Sequence, residues 1–397
     1  MSTKLGTGLA KGEDSIQVAE QAVKEAKQNL GEERIDLALV YCSTKYDYQK
    51  VVNTVRQLTN GAPLIGCSTG GEFTEKRVEK ESIAVGLLYS DEMKFFTYLE
   101  EGLKEDDVGT MKKLAEKRPQ VSSDYPFLGG ILLIDGLAGK GEEAPVNFFN
   151  MLGTDIILGG GAAADDLKFE KTFVFCNDKV ASNAASLCYI LSKKPLITSV
   201  RHGHTPLSTP LKVTKAKGNV LYEVEGRPAW EVWKEYTRED AKKLGIDVDK
   251  ISTPTEIGSF LLRYELGIPA GKGYKVRVPL SKNDDDSLNF ACTIPEGITI
   301  FIMKSPKEDQ VFSARSAAEI AKQRAGDTKI AGALIFDCVC RAIILGEDFA
   351  SAVEEFKKVF GEGVPILGWE TYGEICFRTG EFSGFHNTTS VVMLLPE

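Results

Sequence analysis

Only three histidines occur in the 397 residues, which leaves few side chains for histidine-based metal sites. His202 and His204 stand at i and i+2 on an expected strand, and no carboxylate nearby offers an obvious third ligand, so they read as polar residues satisfied at a strand end. No basic excess exists either. The formal net charge is −9, which argues against a nucleic acid as main partner, because phosphate contacts need a basic surface. No window approaches the roughly 18 consecutive apolar residues of a membrane span. The opening MSTKLGTGLAKGEDS lacks the apolar core of a secretory leader, so a cytoplasmic protein without membrane attachment is expected. The phosphate-loop pattern GxxxxGKS/T, the GxSxG elbow and the kinase and dinucleotide fingerprints are all missing. No cofactor or metal is expected.

What is present is ordinary globular composition with a patterned chain. Hydrophobic residues make up 43% and charged residues 26%, enough to build packed cores in two domains or one large α/β body. The eight cysteines lie mostly in apolar runs such as LC188YIL, a usage that suits buried, reduced thiols.

The run IDLALVYCS (35–43) reads as a buried strand. A helix follows with Val51, Val52, Val55 and Leu58 on one face, then a second strand, PLIG, and the turn GCSTGGE. SIAVGLLYS (82–90) supplies a third strand. FLGGILLIDG (127–136) opens the same series, which runs through VNFFNML and DIILGGGAAADD to SLCYILS. Cys42 to Gly66 and Asp135 to Gly159 both span 24 residues. A third copy runs from IAGALIFDC (330–338) through a helix with Phe349, Val353, Phe356 and Phe360 to PILGWETYGE and TSVVMLLPE. The fold class is therefore α/β, with repeated strand–helix–strand units in mixed or parallel sheets and antiparallel meanders between the second and third unit. Residues 196–325 carry those meanders, and a domain boundary is placed near 225, giving 1–225 and 226–397.

In such sheets ligands gather beyond the carboxyl ends of the strands, where every one of these glycine turns lies. The first turn offers Cys67, Ser68, Thr69 and Glu72, the second Gly160 and Gly161, the third Tyr372 and Glu374. Backbone N–H groups of such turns suit a carboxylate, and a glutamate suits an ammonium group, a pairing that fits an amino acid. Arg341 is a candidate carboxylate clamp, and His386 with Asn387 follows the third turn closely enough to line the same site. Cys338 and Cys340 read as neighbours on one strand face, which is unlike a redox CxxC pair.

These motifs together resemble the FIST family, which joins an N-terminal and a C-terminal FIST domain. GCSTGGE, ILLIDGLAG and ILGGGAAADD carry the first half of the resemblance; KGNVLYEVEGRPAWEVWKEY carries the junction. PEGITIFIM, FDCVCR, TYGEI and GFHNTT carry the second. The resemblance implies a sensory module that binds a small ligand, with amino acids the usual suggestion, and signals through a protein partner. Two alternatives stand beside it: a hydrolase or transferase with Cys67 as nucleophile, and a scaffold whose turns are purely structural.

Overall fold

Apolar strands and one-faced helices dictate the local structure. Leu37–Cys42 (LALVYC) is buried at every position, as a central strand of β-rich composition should be. Helix Tyr48–Leu58 starts at Asp47, whose carboxylate accepts from the Lys50 N–H, and it buries Val51, Val52 and Val55 against the sheet. Helix Ser15–Leu30 is capped by Asp14 and ends at Gly31 in the left-handed region. The computed structural model describes residues 2–378 and 383–397.

Three six-stranded sheets share one strand order. The first runs Thr3–Ala10, Ile83–Ser90, Leu37–Cys42, Leu64–Ser68, then the hairpin Val174–Cys176 and Lys179–Ala181. The second runs Met93–Glu101, Ala184–Ser192, Phe127–Ile134, Ile156–Ala162, then the hairpin Glu374–Phe377 and Gly384–His386. The third runs Ile197–His202, Thr389–Pro396, Ile330–Cys338, Ile366–Thr371, then the hairpin Glu72–Thr74 and Val78–Glu79. Each sheet has one parallel pair at its centre, bridged by a helical crossover. Each also ends on a hairpin borrowed from another unit: the first unit's hairpin joins the third sheet, the third unit's joins the second, and the second unit's joins the first. The exchange is cyclic.

The inner faces of the three sheets share one core, which includes Leu5, Tyr41, Cys67, Ile131, Cys188, Phe336, Trp369 and Met393. Tyr41 and Trp369 stack there with ring centroids 5.3 Å apart. Helices cover the outer faces and form separate cores with each sheet.

The stretch beginning LITSV, read from sequence as the start of the meander, pairs antiparallel with the last strand, Thr389–Pro396. The remaining antiparallel strands form a nine-stranded sheet with its own core around Trp230, Trp233, Phe260 and Phe290. Among the described residues no helix is long and apolar enough to cross a membrane.

Candidate functional site

The exchanged hairpins oblige the three turns to meet. Gly70 N–H donates to the Glu370 carbonyl (3.0 Å), and Glu370 N–H donates to the Gly71 carbonyl (2.8 Å). Tyr372 N–H donates to Ala162 (3.0 Å), and Ala162 N–H donates to Gly373 (2.8 Å). Ala164 N–H donates to Ser68 (2.9 Å) and Asp166 N–H to Thr69 (3.1 Å), which closes the ring. The carboxyl ends of three parallel pairs thus converge, where α/β sheets place ligands.

Beside this junction lies a cavity of about 520 Å³, lined by Ser43, Thr44, Lys45, Gly70, Lys80, Glu81, Asp166, Leu167 and Lys168. Its size is that of a small-molecule site, roughly 300–1,000 Å³. Asp166 is held in place by bonds to one oxygen, Oδ2, from Ser43 Oγ (2.9 Å), Thr44 N–H (2.8 Å) and Thr44 Oγ1. Lys45 pairs with Glu13 (2.8 Å) and lies 3.6 Å from Glu81. Lys80 donates to the Gly70 carbonyl (2.7 Å) and pairs with Glu370, whose side chain is only 1% exposed while that of Lys80 is 52% exposed. Burial pushes the Glu370 carboxyl up to about 7 against the opposing pull of Lys80.

Glu72 and Glu374 occupy matching places and are fully buried. Glu72 accepts from the hydroxyls of Thr69 and Ser82. Glu374 accepts from Thr371 Oγ1, Thr389 Oγ1 (2.7 Å) and Thr389 N–H (3.1 Å). Each ties its turn to the start of its unit's last strand. Desolvation pushes both carboxyls up to about 8, outweighing the hydroxyls that favour the charged form. A pH dependence follows. Between about pH 4.5 and 8 the unfolded chain releases these protons and the folded chain keeps them, so stability falls as pH rises, by about 1.4 kcal/mol per pH unit for each group. Urea unfolding from pH 5 to 8 should show this slope, and the Glu72→Gln/Glu374→Gln double variant should flatten it. An identical slope in both proteins would refute the assignment.

Several residues expected at a ligand prove to hold the framework. Cys67 is buried in the shared core, and burial followed by the Glu72 charge raises its thiol well above the ordinary range, the reverse of what a nucleophile needs. Ser68 exchanges bonds with Phe173, its N–H donating to the Phe173 carbonyl and its Oγ accepting from the Phe173 N–H (2.9 Å each). Gly160 and Gly161 pair with Ile375 and Glu374 of the exchanged hairpin. Tyr372 stacks on Phe169 (centroids 4.9 Å apart) and donates to Asp165. Asp165 also accepts from the N–H groups of Phe169, Glu170 and Lys171, so it organises its own loop.

Arg341 is fully buried away from the cavity lining. It donates to Asp337 Oδ1 (2.8 Å), to the Gln310 carbonyl (3.0 Å) and Oε1 (2.7 Å), and to Ser313 Oγ (2.6 Å). His386 is a buried strand residue opposite Glu374, and Asn387 Oδ1 accepts from the Cys292 thiol. Cys338 and Cys340 do not share a strand face: the strand ends at Cys338, and the helix Val339–Leu345 begins at the next residue. His202 reaches the Tyr274 carbonyl (3.0 Å), and His204 lies 3.5 Å from Glu265.

Sequence reading passed over Lys80, Glu370 and the Ser43–Lys45 loop. One signal lay in plain view: Glu370 stands in the very GWETYGE turn that drew attention to Glu374. Lys80 had none, since it belongs to a charged surface stretch.

Comparison with known proteins places these features in a family. An uncharacterised protein of Methanocaldococcus jannaschii is 27% identical over 403 residues, covering 95% of this chain and 75% of that protein. The crystal structure of cyanuric acid hydrolase from A. caulinodans aligns with 48% of this chain and 72% of its own at a TM-score of 0.26 and 9% identity, too weak a likeness to carry an argument. The FIST N domain matches residues 36–227 and the FIST C domain 229–377, both domains of small-ligand-binding sensory modules. With these two matches over nearly its whole length, the chain belongs to the FIST family.

Proposed function

We propose that this protein reversibly binds a small polar metabolite of the amino-acid class in the cavity beside the three turns and passes the bound state to a protein partner. One observation carries the reading: Lys45, Lys80 and Lys168 share the cavity lining with Asp166 and Glu81, so both signs of charge face one small space. A zwitterion presents a carboxylate and an ammonium group a few ångströms apart, and each finds an opposite charge there. The buried, protonated Cys67 favours binding over covalent chemistry.

Thermal unfolding against a panel of amino acids, related carboxylates and divalent metals tests this. A ligand at 100 times its dissociation constant should add about 2.7 kcal/mol of stability. Lys45→Met and Asp166→Asn should abolish that gain. Among the described residues Lys45 pairs only with the exposed Glu13 and Glu81, so Lys45→Met should leave the stability of the unliganded protein nearly unchanged. A panel without any stabilising amino acid would reject the reading.

A further inference from the structure

The Lys80–Glu370 pair joins the two family domains at the cavity wall, since Lys80 lies within 36–227 and Glu370 within 229–377. Its geometry is lopsided. Lys80 contacts Glu370 Oε2, while Oε1 is buried without a hydrogen-bond partner among the described residues. A buried carboxylate oxygen left so is costly, and such atoms are rare in folded proteins. Beside it stands Gly71, at φ +157°, where a Cβ would lie 2.7 Å from Glu370 Oε1 and 2.7 Å from Lys80 Nζ. Both charged ends therefore pack directly on the Gly71 backbone, with no room for a side chain there, and a ligand reaches Glu370 from the cavity, lined by Gly70 and Lys80, only as Lys80 swings away. The other charges around Glu370 are acidic, namely Glu72 on the exchanged hairpin, Asp166 on the second unit's loop and Asp337 on the strand Ile330–Cys338. Among the described residues Lys80 is the one cation that forms an ion pair with it.

We infer that Glu370 is the specificity residue that reads the ammonium group of a bound amino acid, while Lys80 exchanges Glu370 for the ligand carboxylate. This inference rests on the binding reading above and assigns its selectivity. The physical argument is charge conservation in a buried place. A simple carboxylate that draws Lys80 away leaves Glu370 buried without a cation, so binding must also bring a proton to Glu370, a cost that a zwitterion avoids. A zwitterion inserted between the two leaves every charge compensated and supplies a donor to Oε1. The long, half-exposed Lys80 side chain can move without disturbing the fold, and the backbone bonds between Gly70, Gly71 and Glu370 do not involve either side chain. Selection for the ammonium group is thereby made by one domain, and capture of the carboxylate by the other.

Isothermal titration of each of the twenty L-amino acids against its matching desamino carboxylic acid tests the assignment. The wild-type protein should bind at least one amino acid tenfold or more tightly than its desamino partner. In Glu370→Gln that ratio should fall close to one, chiefly through weaker amino-acid binding, whereas Lys80→Met should weaken both members of the pair. A wild-type ratio retained in folded Glu370→Gln protein would overturn the assignment and leave the binding reading standing. Absence of amino-acid binding to the wild-type protein would reject that reading and this one together. Should the Gln variant fail to fold, Glu370→Asp keeps the charge but withdraws it by one methylene, and it should lower the ratio in the same direction. An unchanged ratio there also overturns the assignment.

Discussion

Arg341→Met is expected to destabilise the unliganded protein by about 3–5 kcal/mol, because it strips the cation from a fully buried carboxylate. Asp337 has no exposure and relies on Arg341 Nε at 2.8 Å and on the Ser390 hydroxyl. Desolvation already holds the Asp337 carboxyl above its usual range, with Arg341 opposing that rise. Removal of the guanidinium also takes the Arg341 donor from Gln310 Oε1 and Ser313 Oγ, while the Gln310 carbonyl keeps the Ser313 hydroxyl at 2.8 Å. Chemical unfolding should show a lower midpoint at an unchanged slope. The double variant Asp337→Asn/Arg341→Met should recover part of the loss, since no uncompensated charge then remains. A residue that clamped ligand would behave in the opposite way: the unliganded protein would keep its stability and only ligand-induced stabilisation would vanish. Titration and unfolding on the same variant therefore separate the two roles.

Gly160→Ala is expected to cost on the order of 4 kcal/mol, or to prevent folding outright, for a reason unconnected with ligand. At φ +149° an L side chain is strained, and a Cβ would sit 1.9 Å from the Leu132 carbonyl oxygen and 2.8 Å from its carbon. Those are main-chain atoms of the neighbouring parallel strand, which pairs Leu132 with Gly160, so they cannot swing aside as a side chain can. Ile375 of the exchanged hairpin pairs with Gly160 on the other side, so a shift there would loosen the joint between the second sheet and the third unit. The control is Gly139→Ala, at a positive-φ glycine with open space around it, where only the backbone term of about 1 kcal/mol applies. A cost for Gly160→Ala no larger than for the control would show that close strand approach is not what requires glycine.

Much of the framework could be read from the chain because its signals are local. Runs such as LALVYC and ILLI are too uniformly apolar to be anything but buried strands, and the helix faces of Val51, Val52 and Val55 or of Phe349, Val353, Phe356 and Phe360 pack as their spacing demands. The glycine turns announced themselves as strand ends by composition alone. Two edge strands, Thr3–Ala10 and Met93–Glu101, escaped notice. The first carries glycines and threonines. The second is half-buried along most of its length, at an edge where burial imposes neither an apolar run nor a clean alternation. Cys340 was misplaced because the switch from strand to helix at Cys338 has no glycine or proline to mark it.

The amino-acid sequence by itself determined the α/β elements, the recurrence of the turn and the family, because each depends on residues within one stretch of chain. Only the tertiary structure decided which sheet receives each hairpin. Backbone hydrogen bonds between strands are the same for every residue type, so hairpins as short as Glu72–Thr74 and Val78–Glu79 carry no address for the third sheet. That choice in turn brought Lys80 to Glu370, 290 positions away, and the meeting of the turns put Asp166 in one cavity lining with Gly70 and Lys80. A long-range ion pair between one surface lysine and one buried glutamate leaves no periodicity behind. It exists because three turns must share one space, and that is a property of the folded backbone.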